Sequence, residues 1–269
     1  MTDELMTTAV CWEMGANVSV SLAYSAKDLF YFCPDPRCLV EVVPAKINNV
    51  FFRAPESHVS GCRNEKKKTT ASSVLVVPTQ RHSLLPPPVI PSHLGAISKG
   101  HKARKPTLAQ MHSLATQIKD APALHPGTLR EVVDAWWLMS RIERRQCPLH
   151  IAARALTYSD AFGEFGVASK DVASLGCERI ITFGQASVTS YKNTFTVTTW
   201  RKFNAGDKRL PIKIRVRSDD PDFASLAPGQ HVTLFLHGAP PTLDSLRKCF
   251  EMQTSNAYDG FVIKQGATQ

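Results

Sequence analysis

"YFCPDPRCLVEVVPAKINNVFFRAPESHVSGC" spans residues 31–62 and sets three cysteines and one histidine inside a strand-like run. The spacing is C-x4-C-x19-H-x3-C, through Cys33, Cys38, His58 and Cys62. Zinc takes four thiolate or imidazole ligands tetrahedrally, and sites closed by four protein ligands are structural. Pro34 and Pro36 put the first pair on a turn that brings both sulfurs to one side. The gap before the second pair is long enough for a hairpin of Leu39–Val43 against Val50–Arg53, with "AKINN" between. One Zn2+ would then fasten both ends of that hairpin. Cys11 is a further candidate for the fourth ligand. Cys147, Cys177 and Cys249 are scattered and read as small buried apolar residues.

The same residues carry a resemblance. "FYFCPDPRCLVEVV" followed by "VFFRAPESHVSGC" resembles the zinc-ribbon-like start of CoiA-like competence proteins and of other bacterial zinc-ribbon proteins. It covers about a fifth of the chain, and the x4 gap departs from the commoner x2 pair. A zinc module joined to a small barrel also resembles the accessory proteins of some bacterial retrons, which pair a zinc finger with a cold-shock-like fold. That resemblance implies a role in phage defence, a reverse-transcribed DNA–RNA hybrid as partner, and a reverse transcriptase as protein partner.

The chain has 269 residues, 43% of them hydrophobic, and a net charge of +9. This is the composition of a folded protein of two or three domains. There is no apolar run of about 20 residues, and the N-terminus does not read as a secretory signal, so a cytoplasmic location is expected. Seven cysteines then imply thiols or metal ligands rather than a disulfide framework. Residues 63–106 hold nine Lys or Arg against one acid, Glu65, which suits an acidic polymer as partner.

Composition divides the chain into four. Residues 1–62 form a zinc-ribbon-like β module in which Val18, Val20 and Leu22 read as strand. Residues 63–106 form a basic linker whose Pro86, Pro87, Pro88 and Pro91 forbid regular structure, while Val74–Val77 within it reads as a short strand. Residues 107–175 read as a helical domain. Leu108, Met111, Leu114, Ala115 and Ile118 recur at helical spacing. Thr128 and Glu131 form a capping box that opens a helix through Leu129, Val132, Val133, Trp136, Met139 and Ile142, ending near Pro148. Trp136 and Trp137 cannot both face one core. Ser159 to Phe165 reads as another short helix.

From residue 176 the period becomes two. "ERIITFGQASVTSYK" (178–192), "NTFTVTTWRKF" (193–203), "LPIKIRVRS" (210–218) and "HVTLFLHG" (231–238) are strand candidates, with a fifth in "DGFVIKQ" (259–265). Lys192–Asn193 is a tight turn between the first two. Five strands in 176–269 predict a small OB-like β-barrel, with a β-sandwich as the other option. The fold class expected is therefore α+β and multidomain.

Alternation puts Ile212, Ile214 and Val216 on one face of the third strand and Lys213, Arg215 and Arg217 on the other. Three cations on a strand face suit a phosphate backbone. Tyr191 and Trp200 offer stacking surfaces for bases. Phe195 and Trp200 differ in parity, so only one of them faces out. No P-loop, GxSxG or HExxH is present, and Asp219, Asp220 and Asp222 sit on a Pro-containing turn where Asp serves the backbone. Two function classes follow. One is a non-enzymatic nucleic-acid-binding accessory protein for single-stranded DNA, RNA or hybrid. The other is a protein–protein adaptor or toxin-type effector acting through the helical domain.

Overall fold

The computed structural model describes residues 5–65, 90–98, 100–166, 171–252 and 256–266. Most of the basic linker, including Val74–Val77 and Pro86–Pro88, lies outside the described residues. The chain divides into two compact units, residues 1–90 with 97–126, and residues 91–96 with 127–269.

The first unit is an antiparallel sheet of β1 (Thr8–Cys11), β2 (Ala16–Ser19), β3 (Tyr31–Phe32), β4 (Glu41–Lys46) and β5 (Val50–Arg53), in the order β2-β1-β3-β4-β5. Val20 and Leu22 correct the strand expectation. They belong to the helix α1 (Val20–Ser25), because the Ser19 hydroxyl accepts from the Leu22 N–H and caps a helix before the strand can continue. The predicted hairpin forms with a shorter turn. Ala45 and Lys46 stay in β4, pairing Phe51 and Val50. Leu39 leaves the strand altogether, with φ at 49°. Helix α2 (Leu108–Gln117) places Met111 and Ala115 in a cluster with Val10, Phe32 and Leu39.

The second unit opens with β6 (His93–Leu94), and β7 (Pro126–Gly127) falls at the division between the units. Helices α3 (Leu129–Leu138) and α4 (Arg141–Gln146) follow, then β8 (Pro148–Ile151), β9 (Arg154–Thr157) and β10 (Phe162–Glu164). Segment 107–175 is thus divided between the units rather than forming one helical block. The expected helix at Ser159–Phe165 is instead a turn leading into β10, which pairs in parallel with the strand that follows. The long helix also ends early. Ser140 and Glu143 form a second capping box that starts α4, and Ile142 is left 68% exposed. Trp136 is buried and Trp137 half-buried. Trp136 stacks on Phe162 at 4.7 Å, and Arg144 lies over its ring.

The large sheet contains β11 (Ile181–Tyr191), β12 (Thr194–Ala205), β13 (Lys208–Arg217), β14 (His231–His237), β15 (Thr242–Asp244), β16 (Cys249–Glu251) and β17 (Gly260–Gln265). Its order is β15-β16-β13-β12-β11-β14-β17, with β10 added beside β11. Lys192 and Asn193 form the two-residue β11–β12 turn, with φ at Lys192 of 51°. Val188, Val197, Phe203, Ile212, Ile214, Val216 and Leu234 fill one core, while α3 packs Val132, Val133 and Trp136 with Phe235 and Val262 in another.

The closed barrel expected from five strands is not formed. The free side of β13 takes only β16, in parallel over Ile212 and Lys213, and β17 pairs only with β14, so the path stays open among the described residues. The architecture is mixed α+β, dominated by sheet.

Candidate functional site

Four residues from two loops of the 31–62 stretch converge in the first unit. Cys33 follows β3, and its N–H donates to Val40 O at 2.8 Å, which folds the chain back on itself. The N–H groups of Cys38 and Leu39 both donate to Asp35 O, closing the first ligand turn around Pro34 and Pro36. In the second loop Cys62 N donates to Val59 O, and Gly61 takes φ at 80°, a conformation open to glycine. Arg37 ties the two loops together. Its guanidinium forks onto the Asp35 carboxylate and also donates to Gly61 O at 3.3 Å.

These turns bring the Cys33, Cys38 and Cys62 sulfurs and a His58 ring nitrogen within 4.8 Å of one another. Cys33 Sγ lies 3.6 Å from Cys62 Sγ. His58 Nδ1 lies 3.3 Å from Cys38 Sγ and 3.7 Å from Cys62 Sγ. With Zn–S of about 2.3 Å and Zn–N of about 2.0–2.1 Å, tetrahedral edges come to about 3.8 Å for S···S and 3.6 Å for S···N. The observed separations have that size. A Cys3His group of this geometry can hold a metal ion, and it is the one such group among the described residues. Cys11 is not part of it. That thiol is buried in the apolar cluster of β1 and β2 and donates to Glu13.

Burial raises the Cys33 and Cys62 thiols above their usual range and lowers His58. A neutral imidazole is the form that ligates, and a coordinated cation deprotonates thiols outright. Each sulfur also accepts an N–H bond. Val59 N donates to Cys38 Sγ at 3.5 Å, Asn64 N to Cys62 Sγ at 3.4 Å, and Asn64 Nδ2 to Cys33 Sγ at 3.4 Å. Sequence spacing named the four clustered side chains but missed Arg37 and Asn64. The position of Asn64, two residues after a ligand cysteine, was the available signal.

The second unit places the other sequence-predicted residues on one outer face. Ile212, Ile214 and Val216 are buried while Arg215 and Arg217 point outward and Lys213 is half-buried. Register sets Lys213 beside Thr198, then Ser187, then His231. Arg215 lies beside Thr196 and Thr189, and Arg217 beside Thr194 and Tyr191. Two of the cations are engaged. Arg215 pairs with Glu251, and Arg217 forks onto Asp219 with Nη2 at 2.7 Å. No acid lies within ion-pair distance of Lys213 among the described residues. Trp200 is 55% exposed and meets the His231 ring edge-on at 5.0 Å, and Tyr191 is 73% exposed. Phe195 packs inward, as its parity requires.

Trp200 sits where β12 carries a bulge. Thr198 pairs Lys213 but Lys202 pairs Pro211, so two extra residues stand on β12. The Thr199 hydroxyl accepts from Ile212 N at 3.0 Å and donates to Arg201 O at 2.7 Å, holding the bulge together. The acidic turn serves the backbone and nearby arginines. Asp220 accepts from Asp222 N, and Asp222 pairs with Arg130.

No family model matches the chain, and comparison with curated proteins and with solved structures gives no match. None of the comparisons supports the resemblance to CoiA-like or retron-associated proteins; what stands is a Cys33, Cys38, His58 and Cys62 cluster that could hold a metal. No helix among the described residues is long and apolar enough to cross a membrane.

Proposed function

We propose that the chain is a nucleic-acid-binding accessory protein. A structural zinc ion at Cys33, Cys38, His58 and Cys62 closes a zinc-ribbon-like first unit, and the β12–β13 face of the second unit takes a single-stranded strand of DNA, RNA or hybrid. Three soft sulfur donors with one imidazole favour zinc over hard cations, and four protein ligands leave no open position for catalysis.

The observation that carries the nucleic-acid reading is the register of the outer face. Lys213, Arg215 and Arg217 form a column at every second residue, about 6.6–6.8 Å apart along a strand. Low hydroxyl side chains of Thr198, Thr196 and Thr194 lie beside them, with Tyr191 and Trp200 as exposed rings. Charge on one side and aromatic faces on the other is how proteins hold single strands without reading sequence. The strand order β13-β12-β11-β14-β17 sets β12 between β13 and β11, so the three cations, Trp200 and Tyr191 lie on adjacent strands, which supports the choice of this face. The exposed Arg217–Asp219 pair contributes little stability, so it yields readily to a phosphate.

Fluorescence anisotropy with labelled single-stranded oligonucleotides tests this. Affinity should fall with salt at a log–log slope of about −0.7 per phosphate contacted. Lys213→Glu with Arg217→Glu should abolish binding, and Trp200→Ala should cost about 1–3 kcal/mol. Unchanged affinity in the double charge reversal would overturn the reading.

A further inference from the structure

We infer that Asn64 is a positioning residue of the metal centre, one that fixes the charge and orientation of two of its sulfurs at once. The inference rests on the metal reading above. Asn64 lies outside the set of atoms that can ligate, yet it makes two separate bonds to them. Its backbone N–H donates to Cys62 Sγ at 3.4 Å, and its side-chain amide donates to Cys33 Sγ, also at 3.4 Å. Those two sulfurs come from loops 29 residues apart in sequence and stand 3.6 Å from each other.

The chemistry explains why a donor belongs there. Three thiolates and a neutral imidazole around a divalent cation leave one net negative charge, held where Cys33 and Cys62 are buried. Buried charge needs hydrogen-bond donors. Cys38 and Cys62 receive theirs from backbone N–H groups, which any residue supplies. The Cys33 sulfur has a backbone bond from Asp35 and is the one sulfur that also takes an N–H bond from a side chain, so the identity of residue 64 matters at this ligand. Asn64 has the reach and the donor. Neighbouring Glu65 is occupied elsewhere, accepting from Gly61 N at 2.7 Å. Outer partners of this kind hold ligands in place and are typically worth about 10–100-fold in metal affinity.

The test uses the full-length protein with bound metal. Asn64→Asp keeps the side-chain shape and the backbone donor to Cys62 but turns an acceptor or a charge toward Cys33. Asn64→Ala removes the side-chain donor alone. Both variants should still bind one zinc, with affinity lowered about tenfold or more in chelator competition, Asp more than Ala. In the cobalt-substituted protein the thiolate-to-metal charge-transfer band should move to lower energy, because an unbonded sulfur gives up its electrons more easily. A role in packing alone would leave that band in place. Wild-type affinity and an unshifted band in both variants would overturn the assignment of Asn64 while leaving the metal centre standing. Absence of metal in the wild-type protein would remove the metal reading and the role of Asn64 together.

Discussion

Cys33 and Cys62 lie 29 residues apart in the chain with their sulfurs 3.6 Å apart. Between them run β4, β5 and both ligand turns, so this one approach closes the whole hairpin. Nothing in the small sheet itself forces it. The sulfurs meet because two tight turns aim them at a common point, with Arg37 bonded to both turns. A zinc ion at that point would stabilise the folded form by the binding energy of the site, apparent values for such sites being about 10–16 kcal/mol near neutral pH.

The bulge in β12 depends on Thr199. Replacing it by Val keeps the shape and removes both hydroxyl bonds, leaving the buried Ile212 N–H without its partner. Unfolding in urea should show a loss of about 1–3 kcal/mol for Thr199→Val, with metal content unchanged. Wild-type stability in that variant would mean the bulge is held by its packing instead.

Acid should weaken the second unit. His237 is buried and held neutral below its ordinary value of 6.5 chiefly by that burial, despite Asp259 at 3.9 Å and the bond between its Nδ1 and Ile180 O. His93 is lowered by burial and by its stacked neighbour His150 at 4.4 Å. Below about 6.5 the unfolded chain binds protons that the folded chain refuses, so this stability is present above that pH and lost as pH falls toward the depressed values. Urea midpoints should drop between pH 7.5 and pH 5, and His237→Gln, which keeps a donor for Ile180 O, should flatten the drop. A pH-independent midpoint for the wild-type protein would contradict it.

How much of this was legible follows from which signals are local. The gathering of Cys33, Cys38, His58 and Cys62, the Lys192–Asn193 turn, the Thr128–Glu131 capping box and the alternation of Ile212, Lys213, Ile214 and Arg215 all follow from local patterns, and the structure shows each. What was missed is non-local or was masked by a neighbour. Val20 and Leu22 fit a strand period, but the Ser19 cap decides for helix. Ser140 and Glu143 spell a second helix start that the apolar row through Ile142 hid. No periodicity reveals that His93 and Leu94 pair with His150 and Ile151, more than fifty residues on. Nor could it show that β16 takes the free side of β13 and leaves the barrel open. The hydroxyl row beside the cations became visible only with the register of three strands.

The most direct measurement is the metal content of the purified protein, by elemental mass spectrometry, beside that of Cys33→Ser and Cys62→Ser. One zinc per wild-type chain, absent from both variants, is the expected result. A wild-type protein that folds without metal, its thiols at residues 33, 38 and 62 all open to a sulfhydryl reagent, would contradict the central claim.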